Sequence, residues 1–173
     1  MSKFAVVLFF VLTAGSHYGS LEAATESQSE DLKSQDPLKK EFPPANFMLI
    51  GTRYFYIDSG IPQNWTTAAS SCRQMGGYLA AFKDEEETDA ILARLTPFSF
   101  YYVGINDQKE QGNFVSLASD KAAFLKWSKG EPVHVEHAQN CVSIFTFYDR
   151  DEGLLLTPCS NRYNFICQAD VDI

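Results

Sequence analysis

Basic residues are scarce in this sequence, which has 14 lysines and arginines against 22 aspartates and glutamates and a formal net charge of −8. It also lacks a basic patch with interleaved aromatic residues. A negatively charged surface repels phosphate backbones, so we expect no nucleic acid among the partners of this protein.

Long apolar runs are missing as well. The longest, residues 4–12, is shorter than the roughly 20 residues that a transmembrane helix needs. It follows Lys3 and precedes a stretch of small residues, which is typical of a secretory signal. A buried N-terminal strand is the alternative, although the position at the very start of the chain disfavours it. We therefore expect residues 1–23 to be a signal peptide and the mature protein to be secreted, with no membrane span.

Cysteine is also sparse. The four cysteines stand at positions 72, 141, 159 and 167, and no two of them form the C-x2-C pair of a zinc knuckle. In a secreted chain they indicate two disulfides, for which the sequence alone allows three pairings.

Residues 24–46 are polar and poor in aromatic residues. They cannot bury enough apolar area to offset their ordering entropy, which predicts a flexible linker. A role in binding a partner is an alternative that the sequence does not test. The ordered domain should span residues 47–169, with a short tail at 170–173.

The remaining chain predicts an α+β domain. A first helix begins near Trp65, with apolar residues at helical spacing, and ends at Gly76-Gly77. Turn residues at 58–62 precede it, and a second helix ends at 96–97. Strands are expected over residues 53–57, 78–82, 101–105 and 141–145, and residues 163–167 close the chain. Two helices followed by strands, with long irregular loops, are typical of the α+β class.

The acidic run at 84–87 is interpreted as the start of the second helix. Asp84 stands at the N-cap and Glu87 three residues later, as in a capping box. Glu85 and Glu86 complement the positive end of the helix dipole. This favours helix capping over a metal or substrate site.

Asn64-Trp65-Thr66 is an N-glycosylation sequon at a junction between a loop and a helix. Asn64 is therefore a candidate glycosylation site. The alternative is that Asn64 or Thr66 only caps the helix, and the two roles are compatible.

The stretch from Trp127 to Cys141 combines a Gly-Glu-Pro turn with two histidines and two side-chain amides, as a binding loop would. We interpret Trp127 as a core residue beneath this loop. His134, Glu136 and His137 could hold zinc with water as the fourth ligand, although ordinary exposed loop residues are the simpler interpretation. The sequence shows no nucleophile–base pair and no phosphate loop, so we expect no enzyme.

Together these landmarks resemble the C-type lectin-like domain. The segment from Cys72 through Gly76-Gly77 to Ala80 is similar to the family's "C…GG.LA" pattern, and residues 102–105 resemble its W-I-G-L strand. Trp127 with residues 130–132 resembles the "W..GEPN" loop. Details of the sequence are most similar to small secreted lectins of flies.

The resemblance implies two bridges, Cys72–Cys167 and Cys141–Cys159. The outer one would close a loop of about 95 residues and contribute roughly 4–5 kcal/mol by chain entropy, and the inner one roughly 3 kcal/mol.

The resemblance also implies where sugar-binding members hold calcium, and here most of those positions have changed. Glu131 and Pro132 are kept, but Val133, Gln139, Leu155 and Leu156 replace the other four ligands. At the auxiliary calcium position Asp107 is kept, while Gln111, His134 and Asn140 replace three acids. Because calcium requires six to eight oxygens, several of them anionic, we expect no cofactor; calcium stays an alternative, with most of its ligand set lost.

Two further features bear on this site. An insertion before Cys159 carries Asp149, Asp151 and Glu152, which could supply ligands or form a solvated turn. Val133 and residues 154–156 could form an apolar surface, which would either be buried by the loop or bind a protein. We expect a secreted module that binds glycans or glycoproteins without the usual calcium site, the alternative being a protein-binding domain that has lost sugar binding.

Overall fold

The structure, a computed structural model, describes residues 42–134, 139–147 and 152–169. The expected signal peptide, most of the expected linker, the tail, and four of the residues discussed above (Glu136, His137, Asp149 and Asp151) lie outside these ranges. The chain forms the elements β1 (Met48–Ile50), β2 (Arg53–Gln63), α1 (Trp65–Gln74), β3 (Tyr78–Leu79), α2 (Glu85–Leu92), β4 (Phe100–Asn106), β5 (Val115–Ser116), β6 (Gln139–Phe145), β7 (Gly153–Pro158) and β8 (Tyr163–Gln168). The α+β prediction is confirmed.

The strands form one mixed sheet in the order β1-β2-β8-β4-β6-β7, with β3 beside β8 and β5 beside β4. The pairing of β4 with β8 is parallel, and the other pairings are antiparallel. This order brings the end of the chain between β2 and β4. The long segment between β4 and β6 follows Asn106, pairs briefly with β4 through β5, and ends at Gln139. Its two ends are therefore held by β4 and β6, which are neighbours in the sheet.

Helix α1 begins where the sequence predicts. The Asn64 side chain caps it by accepting a hydrogen bond from the Thr67 N–H at 2.9 Å. The helix ends before Gly76, whose φ of 94° lies in the left-handed region that glycine adopts without strain. Its inward face carries Trp65, Ala68 and Cys72.

Helix α2 begins at the predicted cap, but its capping box is only half formed. The Asp84 carboxylate accepts from the Glu87 N–H at 2.8 Å. The Glu87 carboxylate does not return to Asp84 but accepts from the Lys83 N–H at 3.0 Å and from Arg53 at 2.8 Å. Arg53 lies on β2, so the buried Glu87 joins the helix start to the sheet, which the local motif could not predict.

The two helices pack on opposite faces of the sheet. Successive residues of β4 point to opposite sides, so Tyr101 joins a cluster with α2 whereas Tyr102 joins a cluster with α1. Gly104 lies where β4 approaches β3 closely, since a Cβ atom there would stand 2.2 Å from the Leu79 carbonyl oxygen. The sheet therefore separates two hydrophobic clusters, one on each of its faces.

Three boundaries differ from the sequence-based expectations. The expected turn at 58–62 is part of β2, which has an irregular register after Asp58 and pairs again at Gln63 with Tyr163. Strand β3 has two residues rather than five, although residues 80–82 are buried. Helix α2 ends at Leu92, four residues before the predicted stop.

At the N-terminal side, Phe42 packs its ring edge-on against Tyr54 at 5.7 Å, so contacts with the sheet begin before Phe47.

Candidate recognition loop

Two disulfides anchor the candidate site, and they are the pair that the resemblance implies. Cys72 is bonded to Cys167, and Cys141 to Cys159. All four cysteines are bridged, so none of them is a free thiolate that could bind zinc. The inner bridge joins β6 to the residue after β7, at the base of the loop, and the Gln108 side-chain amide lies 3.2 Å from its Cys141 sulfur.

Glu131 turns its carboxylate inward, towards the backbone. Its Oε2 accepts from the Leu156 N–H at 3.1 Å and from the Val133 N–H at 3.2 Å. The first of these bonds crosses from the loop to β7 and the second closes a local turn. The one acidic residue kept from the family's calcium set therefore serves as a hydrogen-bond acceptor that fastens the loop to the sheet.

The leucines of β7 do not form the apolar surface considered above. Strand alternation sends Leu154 and Leu156 into the core, where they are 1% and 4% exposed. Leu155 points to the opposite face and is half-buried. Of the four apolar residues that could have formed a patch, only Val133 is exposed, with 46% of its surface accessible to solvent. Leu154 and Leu156 are therefore buried rather than part of an exposed patch, although the core of the domain covers them and not the loop.

Asp107 is the centre of the second remnant calcium position, and it is almost completely buried. Its Oδ2 accepts from the Gly112 N–H at 2.8 Å and lies 2.9 Å from His134 Nε2. Its Oδ1 accepts from the Asn140 amide at 3.1 Å. Two of the residues that replace calcium-binding acids, His134 and Asn140, therefore bond to the acid that remains.

These donors lower the pKa of Asp107. Burial by itself raises the pKa, because it disfavours the charged carboxylate. The hydrogen bonds from Gly112, His134 and Asn140, with the charge of His134 when it is protonated, outweigh burial, and the pKa falls below its usual value of 3.8. Asp107 is consequently ionised across the physiological range.

The residues that the structure describes do not fit a calcium ion at either position. Around Glu131, the family's other ligands are replaced by Val133, Gln139, Leu155 and Leu156, and of these only Gln139 carries a side-chain oxygen. Around Asp107, both carboxylate oxygens accept bonds from protein donors. Within the described ranges no group of three or more histidines, cysteines, aspartates or glutamates is arranged to hold a metal.

Only some of the candidate zinc and calcium ligands lie among the described residues. His134 bonds to Asp107, which takes one nitrogen of the proposed zinc set, while Glu136 and His137 lie outside the described residues. Asp149 and Asp151 of the insertion also lie outside them, and Glu152 is half-buried. Trp127 packs its ring edge-on against Phe114 at 4.9 Å and contacts the core, as predicted.

The described residues of the loop before Cys141 are at least partly open to solvent. Glu131, Gln139 and Asn140 are half-buried, and Pro132 and Val133 are exposed. Sequence reasoning missed the backbone N–H groups of Gly112 and Leu156, and it missed Gln108. No sequence signal identifies the two backbone donors, because every residue except proline carries one.

No helix in the described part of the chain is long and apolar enough to cross a membrane.

Comparison with known proteins places this geometry in context. The profile of the Lectin C-type domain family matches residues 61–169. The chain is 36% identical to accessory gland protein Acp29AB of Drosophila simulans over 131 residues, which are 73% of this chain and 51% of that protein. It is also 36% identical to C-type lectin 37Db of Drosophila melanogaster over 125 residues, 70% of this chain and 80% of that protein. The chain thus spans about half the length of the first relative.

A solved structure shares the fold. The C-type lectin domain of murine dendritic cell inhibitory receptor 2, crystallised in complex with N-glycan, superposes with a TM-score of 0.65. The identity is 22%, and the match covers 73% of this chain and 98% of that domain.

Proposed function

The chain belongs to the C-type lectin domain family, and from that premise we propose that it is an extracellular recognition module that binds glycans or glycoproteins at the loop, without a coordinated calcium ion. It is a binding module and carries out no catalytic step. The signal-like residues 1–23 support an extracellular location, as do the two disulfides, which persist in oxidising compartments.

The bond between Glu131 and β7 is the observation that carries the proposal of calcium independence. A calcium ion bound here would compete for the Glu131 carboxylate with the N–H groups of Leu156 and Val133, which donate to its Oε2. It would also need oxygen ligands where Leu155 and Leu156 stand. The loop is instead held by hydrogen bonds within the protein, at Glu131 and at Asp107, so its shape requires no ion.

Three half-buried polar side chains support a sugar ligand. Glu131, Gln139 and Asn140 reach solvent at the loop and can exchange hydrogen bonds with sugar hydroxyls. A surface of this kind binds weakly compared with direct metal coordination of hydroxyls. We therefore expect affinity to depend on several sugar residues or on several copies of the ligand.

A protein ligand is the second candidate, and Val133 is the observation that favours it. This apolar side chain is 46% exposed beside the exposed Pro132. An exposed apolar side chain among polar groups suits the centre of a small protein interface.

A glycan array, probed with the secreted protein in calcium and again in chelator, tests the first proposal. We expect the same glycans to bind at similar strength under both conditions. Sugar binding that disappears with chelator would contradict calcium independence. Binding to immobilised protein but to no glycan would favour the second candidate.

Substitutions at Glu131 separate its two possible roles. In Glu131→Gln the amide oxygen still accepts the N–H of Leu156, so we expect glycan binding to be little changed. In Glu131→Ala that acceptor is lost, and binding should weaken because the loop is released from β7. If Glu131 were a metal ligand, the glutamine variant would lose binding as severely as the alanine variant.

A further inference from the structure

Asn64 caps helix α1 with one atom of its side chain and leaves the other available. Its Oδ1 accepts from the Thr67 N–H, whereas none of the described residues supplies a hydrogen-bond acceptor for its Nδ2. The residue is half-buried, and Thr66, which completes the sequon, is exposed. Nδ2 is the atom that N-glycosylation modifies, so capping and modification use different atoms of the same side chain.

A groove with an aromatic floor lies beside this position. It has a volume of about 310 Å³ and is lined by Pro62, Ser99, Phe100, Arg162, Tyr163 and Asn164. The rings of Phe100 and Tyr163 are stacked, with centroids 4.8 Å apart and planes inclined by 18°. Gln63 pairs with Tyr163 across β2 and β8, so Asn64 is the next residue after the strand that borders the groove.

We propose that Asn64 carries an N-linked oligosaccharide whose first sugars lie in the groove formed by Phe100 and Tyr163. In the reaction, Asn64 Nδ2 forms a bond to C1 of the first sugar of a lipid-linked oligosaccharide. The bond from C1 to the diphosphate oxygen breaks, the polyisoprenyl diphosphate leaves, and Nδ2 loses one proton. No oxidation or reduction takes place, and the donor is the usual one of the secretory pathway for this sequon.

The chemistry of the groove suits a sugar that is already tethered. Phe100 lies between Tyr163 and Phe145, and Tyr163 also contacts Tyr102, so the two half-buried rings form one continuous apolar surface. The apolar C–H face of a pyranose ring can pack against such a surface. Ser99, Arg162 and Asn164 place polar groups around that floor for the hydroxyls. Because attachment to Asn64 makes the contact intramolecular, even a weak interaction with the groove is populated.

The modification leaves the helix cap intact. The new bond replaces one hydrogen of Nδ2, and Oδ1 keeps its bond from Thr67. Aspartate is an equally good cap residue but cannot be glycosylated, so Asn64→Asp removes the sugar without removing the cap. The Thr66 side chain takes no part in the cap, which makes Thr66→Ala a second, independent variant and Thr66→Ser its conservative control.

Occupancy is tested by secreting the full chain from eukaryotic cells and treating it with peptide N-glycosidase. We expect one glycan on the wild type and on Thr66→Ser, conversion of Asn64 to Asp on release, and no glycan on Asn64→Asp or Thr66→Ala. A wild-type protein that is secreted with unmodified Asn64 would overturn the proposal.

The placement of the sugars is tested by hydroxyl-radical footprinting of the glycosylated protein before and after release. We expect oxidation of Tyr163 to rise several-fold on release, because its ring is uncovered. Phe147, which is 50% exposed and does not line the groove, serves as the control within the same molecule and should not change. Equal oxidation of Tyr163 in both forms would refute the placement.

Discussion

Replacing Asp107 by asparagine tests whether protein hydrogen bonds hold the recognition loop in place of an ion. The side chain is inaccessible to solvent and its two oxygens accept from Gly112, His134 and Asn140. Asparagine has nearly the same shape, but it is neutral and one of its two terminal atoms is a donor. At least one of the three groups must therefore change its role from donor to acceptor or face another donor.

The expected loss follows from the bonds that change. A hydrogen bond to a charged group contributes about 1.5–3 kcal/mol and one between neutral groups about 1 kcal/mol. Losing one charged bond and weakening two others, with some relief if the Asn140 amide turns over, gives a destabilisation of about 2–4 kcal/mol. For a domain of this size that corresponds to a fall in Tm of roughly 5–15 °C.

The assay is thermal and urea unfolding of the secreted protein, each measured in calcium and in chelator. Asp120→Asn is the matched control, because Asp120 pairs with Lys109 at 2.8 Å but both side chains are about two-thirds exposed or more. The same chemical change there should cost no more than about 0.5 kcal/mol.

Two results would refute the reasoning. One is an Asp107→Asn protein as stable as Asp120→Asn, which would mean that the three hydrogen bonds contribute nothing measurable. The other is a wild-type Tm that rises when calcium is added, since an ion that binds the folded state must stabilise it. Calcium would then stabilise the folded protein, and hydrogen bonds within the protein would not be enough to explain how the loop is held.

The remaining predictions concern acid, the inner bridge and the close approach of two strands. The pKa of Asp107 is lowered in the folded state, so its ionised carboxylate contributes fully to the free energy of unfolding above the unfolded pKa of about 3.9. That contribution is lost as the pH falls through the folded pKa. The difference in unfolding free energy between wild type and Asp107→Asn, measured by urea titration, should therefore persist at pH 5 and narrow below about pH 4. The double replacement of Cys141 and Cys159 by serine should cost about 3 kcal/mol in the same titration, because the bridge closes a loop of 18 residues, and an unchanged midpoint would contradict that estimate. Gly104→Ala should abolish secretion of folded protein, since its Cβ would meet backbone at 2.2 Å, whereas Gly60→Ala, with only side-chain atoms at 3.5 Å or more, should be secreted normally.

Local features of the sequence predicted local structure well. The caps of both helices lie at Asn64 and Asp84, because capping depends on residues within one turn of the chain. The two disulfide pairings were implied by the resemblance and are confirmed. The turn expected at residues 58–62 was wrong: β2 runs through it, because Asp58 at its start and Gln63 just after it both pair with β8 and the irregular register lies between them.

The candidate site could be predicted only in part. The sequence identified Glu131 and Asp107 as the acids that remain from a calcium site, and it indicated that the other ligands have changed. It placed Leu154 and Leu156 at the same site as a possible surface patch. Their burial follows from the register of β7 against β6, because a strand sends alternate residues to opposite faces and the pairing decides which face is the core.

The sequence by itself determined which acids of the family's calcium site are kept and which are replaced by leucine or an amide. It also determined that the chain has four cysteines and a sequon. Only the tertiary structure decided which groups meet. Asp107 lies 27 residues from His134, Glu131 bonds to a backbone N–H that is 25 residues away, and Asn64 lies beside a groove that Phe100 and Tyr163 complete. Such partners are chosen by strand order and register. Backbone donors occur at almost every residue, so no local pattern can reveal which one a carboxylate will find.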